Sequence, residues 1–297
     1  MRITHLISPF SCPSESEAEW IQQMSIASIL AAAQSCTVAQ IMLASTCLAG
    51  EEINAPAFGE RLSSMTRSSR DLGFSEISPR PLLNDLISKL SETPADAYIY
   101  TNMDIGLMPQ FYNFVAQQLN KGHDALVINR RRLAHKHSQS SSLAELQSDM
   151  GRSHPGFDCF VFKAELLPKL LLGDLILGVP FVEVSLAHNL FALASKPLYV
   201  PDAHLTFHVG GEVLPKPNAQ AKAHNRSIYN RQIKPQLQLH FNLKKFPYGS
   251  IPFPTRALKH IANPALFTRD YIRMEQQSFR RRIKLVLDEW RWRFLQR

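Results

Sequence analysis

Asn102 and Asp104 stand two apart where the apolar run 97–101, Ala-Tyr-Ile-Tyr-Thr, gives way to polar sequence. An amide can hold a hydroxyl as donor and acceptor, and a carboxylate can hold a divalent cation. In open α/β sheets ligands sit at the carboxyl ends of strands, so polar side chains placed there are candidates for chemistry. The competing reading is an Asx turn, in which both side chains only cap the helix that follows.

Further along the chain, other positions carry complementary groups. His208 lies among Leu205, Phe207 and Val209 and precedes Gly210-Gly211, which fits a strand end with close backbone approach to a ligand. His204 would share its face in a strand or a helix, and either imidazole can equally be a satisfied core side chain. Asp158 follows His154-Pro155-Gly156-Phe157 and leads into the apolar run 159–162. Its carboxylate can meet hydroxyls at a cleft, or accept backbone hydrogen bonds in a Pro-Gly turn. Glu183 falls at a helix start, where a carboxylate is also a routine partner for the helix dipole. Arg130, Arg131 and Arg132 directly follow a strand and can close over an anionic group. Arg130 and Arg131 are best placed for that, the alternative being a solvated run.

The elements that position these groups read as an alternating α/β chain. Residues 3–8 form a strand, and residues 18–34 a helix with Trp20, Ile21, Met24, Ala27, Ile29 and Leu30 at helical spacing. Residues 38–44 form a second strand, and 51–80 an irregular segment with one short strand. A helix follows at 81–90, with Pro81 in its first turn. The strand at 97–101 precedes a helix from about Pro109 to Leu119, which Gly122 caps, and then a strand at 125–129. Strands alternating with helices imply a mainly parallel sheet flanked by helices. The polar stretch 130–142 has too few apolar residues to pack and reads as a mobile loop. Beyond it come a strand at 158–163, helices at 165–171 and 182–193, and one extended piece at 199–209. From 210 onward seven prolines dictate loops and short helices on the core surface, until a basic amphipathic helix over 268–297.

Several function classes lack their signatures. There is no GxGxxG after the first strand, no GxxxxGK[ST], no GxSxG and no HExxH. Cys12, Cys36, Cys47 and Cys159 form no CxxC pair, so neither a disulfide framework nor a structural zinc is supported. Thirty-three basic residues against 25 acidic ones make a mild excess, short of a dedicated nucleic-acid binder, so no nucleic-acid partner is expected. No run of 18 apolar residues occurs and the N-terminal apolar stretch is too short for a secretory segment, which gives a cytoplasmic protein as the expectation.

The segments YIYTNMDIGLMPQFY, HPGFDCFVFKAEL and HLTFHVGGE, in this order, resemble GT-A-type glycosyltransferases, over roughly the first two thirds of the chain. The resemblance implies a Rossmann-like nucleotide-sugar transferase architecture. Residues 1–212 would form the catalytic domain, with about 1–130 as its nucleotide-sugar half and 131–212 as its acceptor half, and 213–297 a helical extension. It implies transfer of a sugar from a nucleoside-diphosphate sugar to a carbohydrate or lipid-linked acceptor, assisted by Mn²⁺ or Mg²⁺. Carried over, Asp104 and His208 would be metal ligands, with Asn102 where the family's first acid usually stands, facing the ribose. Arg130 and Arg131 would steady the diphosphate, and His154 and Asp158 would face the acceptor. Glu183 would act as general base, with Asp158 the second catalytic carboxylate. Asn at 102 departs from the family's acidic pair and puts metal dependence in question, since one carboxylate holds a cation less firmly than two. A noncatalytic carbohydrate- or nucleotide-binding protein of the same fold is therefore the alternative. The C-terminal helix, with Trp290 and Trp292 beside Arg291 and Arg293, can pack on the core, pair with another subunit or contact a membrane surface that presents lipid-linked acceptors.

Overall fold

Two sheets share the chain, and the smaller one was not legible in the sequence pattern. The computed structural model describes residues 1–51, 53, 58–133, 139, 141–154, 156–209, 218–252, 254, 255 and 258. In chain order the strands are β1 (Arg2–Ile7), β2 (Gln40–Ser45), β3 (Glu60–Arg61), β4 (Ala97–Thr101), β5 (Ile105–Leu107), β6 (Ala125–Ile128), β7 (Arg131–Arg132), β8 (Arg152–Ser153), β9 (Cys159–Lys163), β10 (Pro197–Val200) and β11 (Thr206–His208). The helices are α1 (Glu17–Gln34), α2 (Leu83–Ser88), α3 (Phe111–Asn120), α4 (Leu143–Ser148), α5 (Val182–Leu193), α6 (Ala219–Ile228) and α7 (Lys234–Gln238).

The large sheet runs β10-β6-β9-β4-β1-β2-β3 and is parallel except for β9, which is antiparallel to both its neighbours. Strand alternation splits its side chains between two apolar layers. Tyr98, Tyr100, Phe160 and Phe162 face a layer shared with Leu86, Leu186 and Leu190 of α2 and α5. Ala97, Ile99, Val161 and Ile128 face Ile26, Ile29, Phe111 and Val115 of α1 and α3. Both faces are covered, which is why these strands read as continuous apolar runs.

The ends of the helices follow their sequences. Ser16 accepts the Glu19 N–H at the start of α1 (3.2 Å), and Ser142 with Glu145 forms a reciprocal capping box on α4. Gly122, at φ +86°, closes α3 by donating to Leu119 (3.0 Å).

Three expectations are corrected. The stretch 130–142 is not simply a mobile loop: Arg131 and Arg132 form β7 and Ser142 caps α4, while 134–138 and 140 lie outside the described residues. Residues 199–209 are two strands in different sheets, separated by His204 at φ +47°. The segment after 218 is not confined to the surface. Tyr229, Ile233 and Leu237 are fully buried in the same apolar layer as α5. Gly210-Gly211 and the basic helix read at 268–297 lie outside the described residues. No helix among the described residues is long and apolar enough to cross a membrane.

The small sheet, β5-β11-β7-β8, lies beyond the carboxyl end of β4. Its register sets Gly106 opposite Phe207 and His208 opposite Ile105. A Cβ on Gly106 would come within 2.4 Å of the Phe207 ring, so the glycine is the seat of that ring. Ser28 of α1, fully buried, accepts the Leu107 N–H at 2.9 Å and ties β5 to the main body.

Candidate functional site

The antiparallel course of β9 creates the site. Parallel strands deliver their carboxyl ends to one edge, and β9 begins at that same edge, so Asp158 arrives beside the exits of β4 and β6. Pairing of Cys159 with Thr101 and Ile128 sets Asp158 level with Asn102 and Asn129, one step further out.

From the other side the small sheet adds His208. The Val209 N–H donates to the Asp104 carbonyl (2.8 Å), and the His208 Nε2 stands 3.0 Å from Asp104 Oδ2. Burial works against ionising Asp104, but the His208 bond and the charges of His208 and Arg130 hold its carboxyl below the ordinary range. Asp104 is ionised at neutral pH. Its second oxygen, Oδ1, is buried without a hydrogen-bond partner among the described residues. An unsatisfied carboxylate oxygen beside an imidazole is a donor set that suits a divalent cation completed by phosphate oxygens. Among the described residues no group of three or more His, Cys, Asp or Glu side chains is placed to hold a metal ion.

Arg130 bonds Asp158 at 2.6 Å, with both side chains largely buried. Even so, burial raises the Asp158 carboxyl above its usual value, Arg130 opposing and Asp104 adding to the rise. Glu183 shows the largest effect of the three carboxylates. Burial, reinforced by Asp158 and Asp104, pushes it up to about 7, against the pull of its own backbone N–H and of Asn102. A carboxyl poised there can take a proton at neutral pH.

Asn102 is engaged on both sides. Its Oδ1 accepts from the Tyr100 hydroxyl (2.9 Å), and its amide donates to Glu183. Tyr100 is buried, and burial keeps its hydroxyl protonated and donating. The network fixes which way the amide points and leaves one N–H for a further acceptor such as a ribose hydroxyl.

Asp104, His208, Arg130, Asp158, Glu183 and Asn102 thus form one electrostatically connected set. His154 borders it. Its backbone N–H donates to Arg130, its carbonyl accepts from Asn129 (3.0 Å), and its Nδ1 accepts the Gly156 N–H (3.0 Å). A Cβ on Gly156 would press on His154 and, at 3.3 Å, on Asp158. Arg131 is placed differently: it pairs with Asp202 (3.1 Å), and its charge acts on His204. Pleating turns it away from the direction of Arg130.

Sequence reasoning missed Tyr100 and Asn129, whose side chains bond Asn102 and His154. Asn129, buried at the end of β6, donates to both His154 and the Tyr199 hydroxyl. Phe10, exposed just past β1, is held by Gln22, which accepts its N–H and donates to its carbonyl (both 2.9 Å).

No protein-family model matches the chain, and no curated protein matches it. Among solved structures, S. aureus TarS 1–349 in complex with UDP-GlcNAc aligns over 82% of this chain and 77% of its own, at 9% identity and a TM-score of 0.45. Glucosyl-3-phosphoglycerate synthase from Mycobacterium tuberculosis, in complex with Mn²⁺, UDP and glucosyl-3-phosphoglycerate, aligns over 77% and 79%, at 13% identity and a TM-score of 0.44. At these values the functional reading rests on the chain's own residues.

Proposed function

We propose that this chain is a GT-A-type glycosyltransferase, moving a sugar from a nucleoside-diphosphate sugar to an acceptor hydroxyl with a divalent cation. The observation that carries the reading is one edge that combines an ionised carboxylate–imidazole pair, Asp104 with His208, and a carboxyl that titrates near neutrality, Glu183. The first suits a diphosphate–metal ion complex, the second a proton acceptor.

Asp104 and His208 would hold Mn²⁺ or Mg²⁺, which when bound draws charge from the diphosphate leaving group. Arg130, fixed by Asp158, supplies a second positive charge at the same edge. Phe10 offers a face for stacking a nucleobase beyond β1, and Asn102 keeps an N–H for the ribose. Glu183 takes the proton of the acceptor hydroxyl as its oxygen attacks the anomeric carbon, with Asp158 and His154 on the acceptor side. A base acting directly on the acceptor means single displacement, hence inversion. The acceptor is a carbohydrate or lipid-linked hydroxyl compound.

The test is turnover of a panel of nucleotide sugars by the purified protein with Mn²⁺ or Mg²⁺, wild type against Asp104→Ala. The substitution is expected to lower turnover roughly 10²-fold or more, as loss of a transition-state charge contact does. Turnover indifferent to Asp104 sinks the assigned role. Calorimetric nucleotide binding without turnover of any donor would support the noncatalytic alternative.

A further inference from the structure

Glu183 stands in the first turn of α5, but the residues that decide where that turn begins come from elsewhere. The chain reaches α5 through 174–181 and turns into it at Phe181, which sits in the left-handed region at φ +89° with no side-chain cap. A bulky residue keeps that conformation only when its surroundings impose it.

They are imposed largely by α6. Asn225, fully buried, accepts the Ile176 N–H through Oδ1 (2.8 Å). Its Nδ2 donates to the carbonyls of Ile176 (3.0 Å), Pro180 (3.2 Å) and Val179 (3.3 Å). Two N–H groups serve three carbonyls, so one bond is shared, and the whole loop up to Phe181 is gathered onto one side chain. Tyr229, in the π-helical turn that follows α6, lays its ring on Phe181 with centroids 5.6 Å apart. Arg80 braces the outside of the loop, donating to Gly178 (3.0 Å) and Leu177 (3.4 Å).

We propose that Asn225 is a positioning residue for Glu183, holding 176–180 so that Phe181 turns α5 and aims the Glu183 carboxyl at Asn102. The inference rests on the reading of Glu183 as the base. It assigns a part in the reaction to a helix outside the segments that carry the chemistry. Displacing a reacting group by about 1 Å can cost on the order of 10²-fold in rate.

The experiment compares Asn225→Ala and Glu183→Gln, singly and together, in the full chain. Asn225→Ala is expected to lower kcat roughly 10- to 100-fold with donor KM within about twofold, because only alignment is lost. In the Glu183→Gln background the same substitution should cost less than about twofold, since no base is left to misalign. An equal loss in both backgrounds overturns the proposal, as does an unchanged kcat. Should Asn225→Ala fail to fold, Arg80→Met, on a partly exposed side chain, removes the outer brace and is expected to show the same pattern at about 2- to 5-fold. Hydrogen exchange over 176–185 reads the clamp without substrate. Faster exchange confined there supports it even if no donor is turned over, which would sink only the transferase reading; unchanged exchange overturns it.

Discussion

Glu183 links the site to the stability of the protein, because one partly buried carboxyl moves two measurements in opposite directions. Its value rises from 4.5 to about 7 in the folded state, so the folded protein holds this proton more tightly than the unfolded chain. The sign follows: the contribution is fully present below pH 4.5 and is lost as pH rises through 7. A shift of this size corresponds to about 3 kcal/mol. Over the same window turnover in the proposed reaction should rise, since only the ionised form accepts a proton. Glu183→Gln cannot ionise, and is expected to remove this part of the stability loss between pH 5 and 8 while lowering kcat by roughly 10²- to 10⁴-fold. Urea unfolding at the two pH values checks the first effect; a wild-type pH dependence retained in the variant would mean that the carboxyl is not buried as described. At this scale sequence could single out Asn102, Asp104, Asp158 and Glu183 as candidates, because each sits where a strand or helix begins or ends, and the structure brings them together. Tyr100 could not be singled out, because an aromatic inside an apolar strand gives no sign that its hydroxyl is used, and the Arg131 pairing with Asp202 depends on a pleat that sequence does not reveal.

Among the elements, the long ones were legible and the short ones were not. The apolar run of β4 and the helical spacing of α1 predict those elements to within a residue or two, and the helix read at 182–193 coincides with α5. β5, β7, β8 and β11 have two or three residues each, too few for a period, and they exist only by pairing with one another across the chain. Yet they carry the Asp104–His208 pair, so its geometry depends on a register that Gly106 and Phe207 set. The one local sign was Gly106 itself, a glycine between two apolar residues, which marks close approach of another group. Gly106→Val should therefore act on the site beyond its effect on the fold. It forces the buried Phe207 ring away, at about 1–3 kcal/mol of overpacking, and slides β11 relative to β5. The expected outcome is a Mn²⁺ affinity weakened roughly tenfold in the folded protein, as loss of ligand support does, measured by titration in the presence of nucleoside diphosphate. Retained affinity with normal stability would show that the register tolerates a side chain there.

For the whole molecule, the question is whether residues after 212 are an appendage. Their prolines made a surface reading natural, and Pro235 indeed lies at the start of α7. A stripe was nonetheless present: Tyr229, Ile233 and Leu237 recur every four residues among polar neighbours, the spacing of one helical face. The structure buries all three against α5, bonds the Tyr229 hydroxyl to His188 (2.9 Å), and ties Lys245 to the Ala194 carbonyl (2.7 Å). Burying such side chains contributes about 1.5–3 kcal/mol each, which together rivals the net stability of a typical domain. A chain ending at residue 212 should therefore lose cooperative folding. Because outright failure to fold would show little by itself, Tyr229 grades the effect in the full chain. Tyr229→Phe gives up one buried hydrogen bond, about 1 kcal/mol, whereas Tyr229→Ala leaves a cavity beneath Phe181 and should cost about 3–5 kcal/mol. Both should unfold in a single transition with an unchanged denaturant slope, since Tyr229 belongs to the same buried layer as Leu6 and Phe160. A separate early transition in Tyr229→Ala, with the sheet still folded, would show instead that the edge carrying the candidate site stands without its helical buttress.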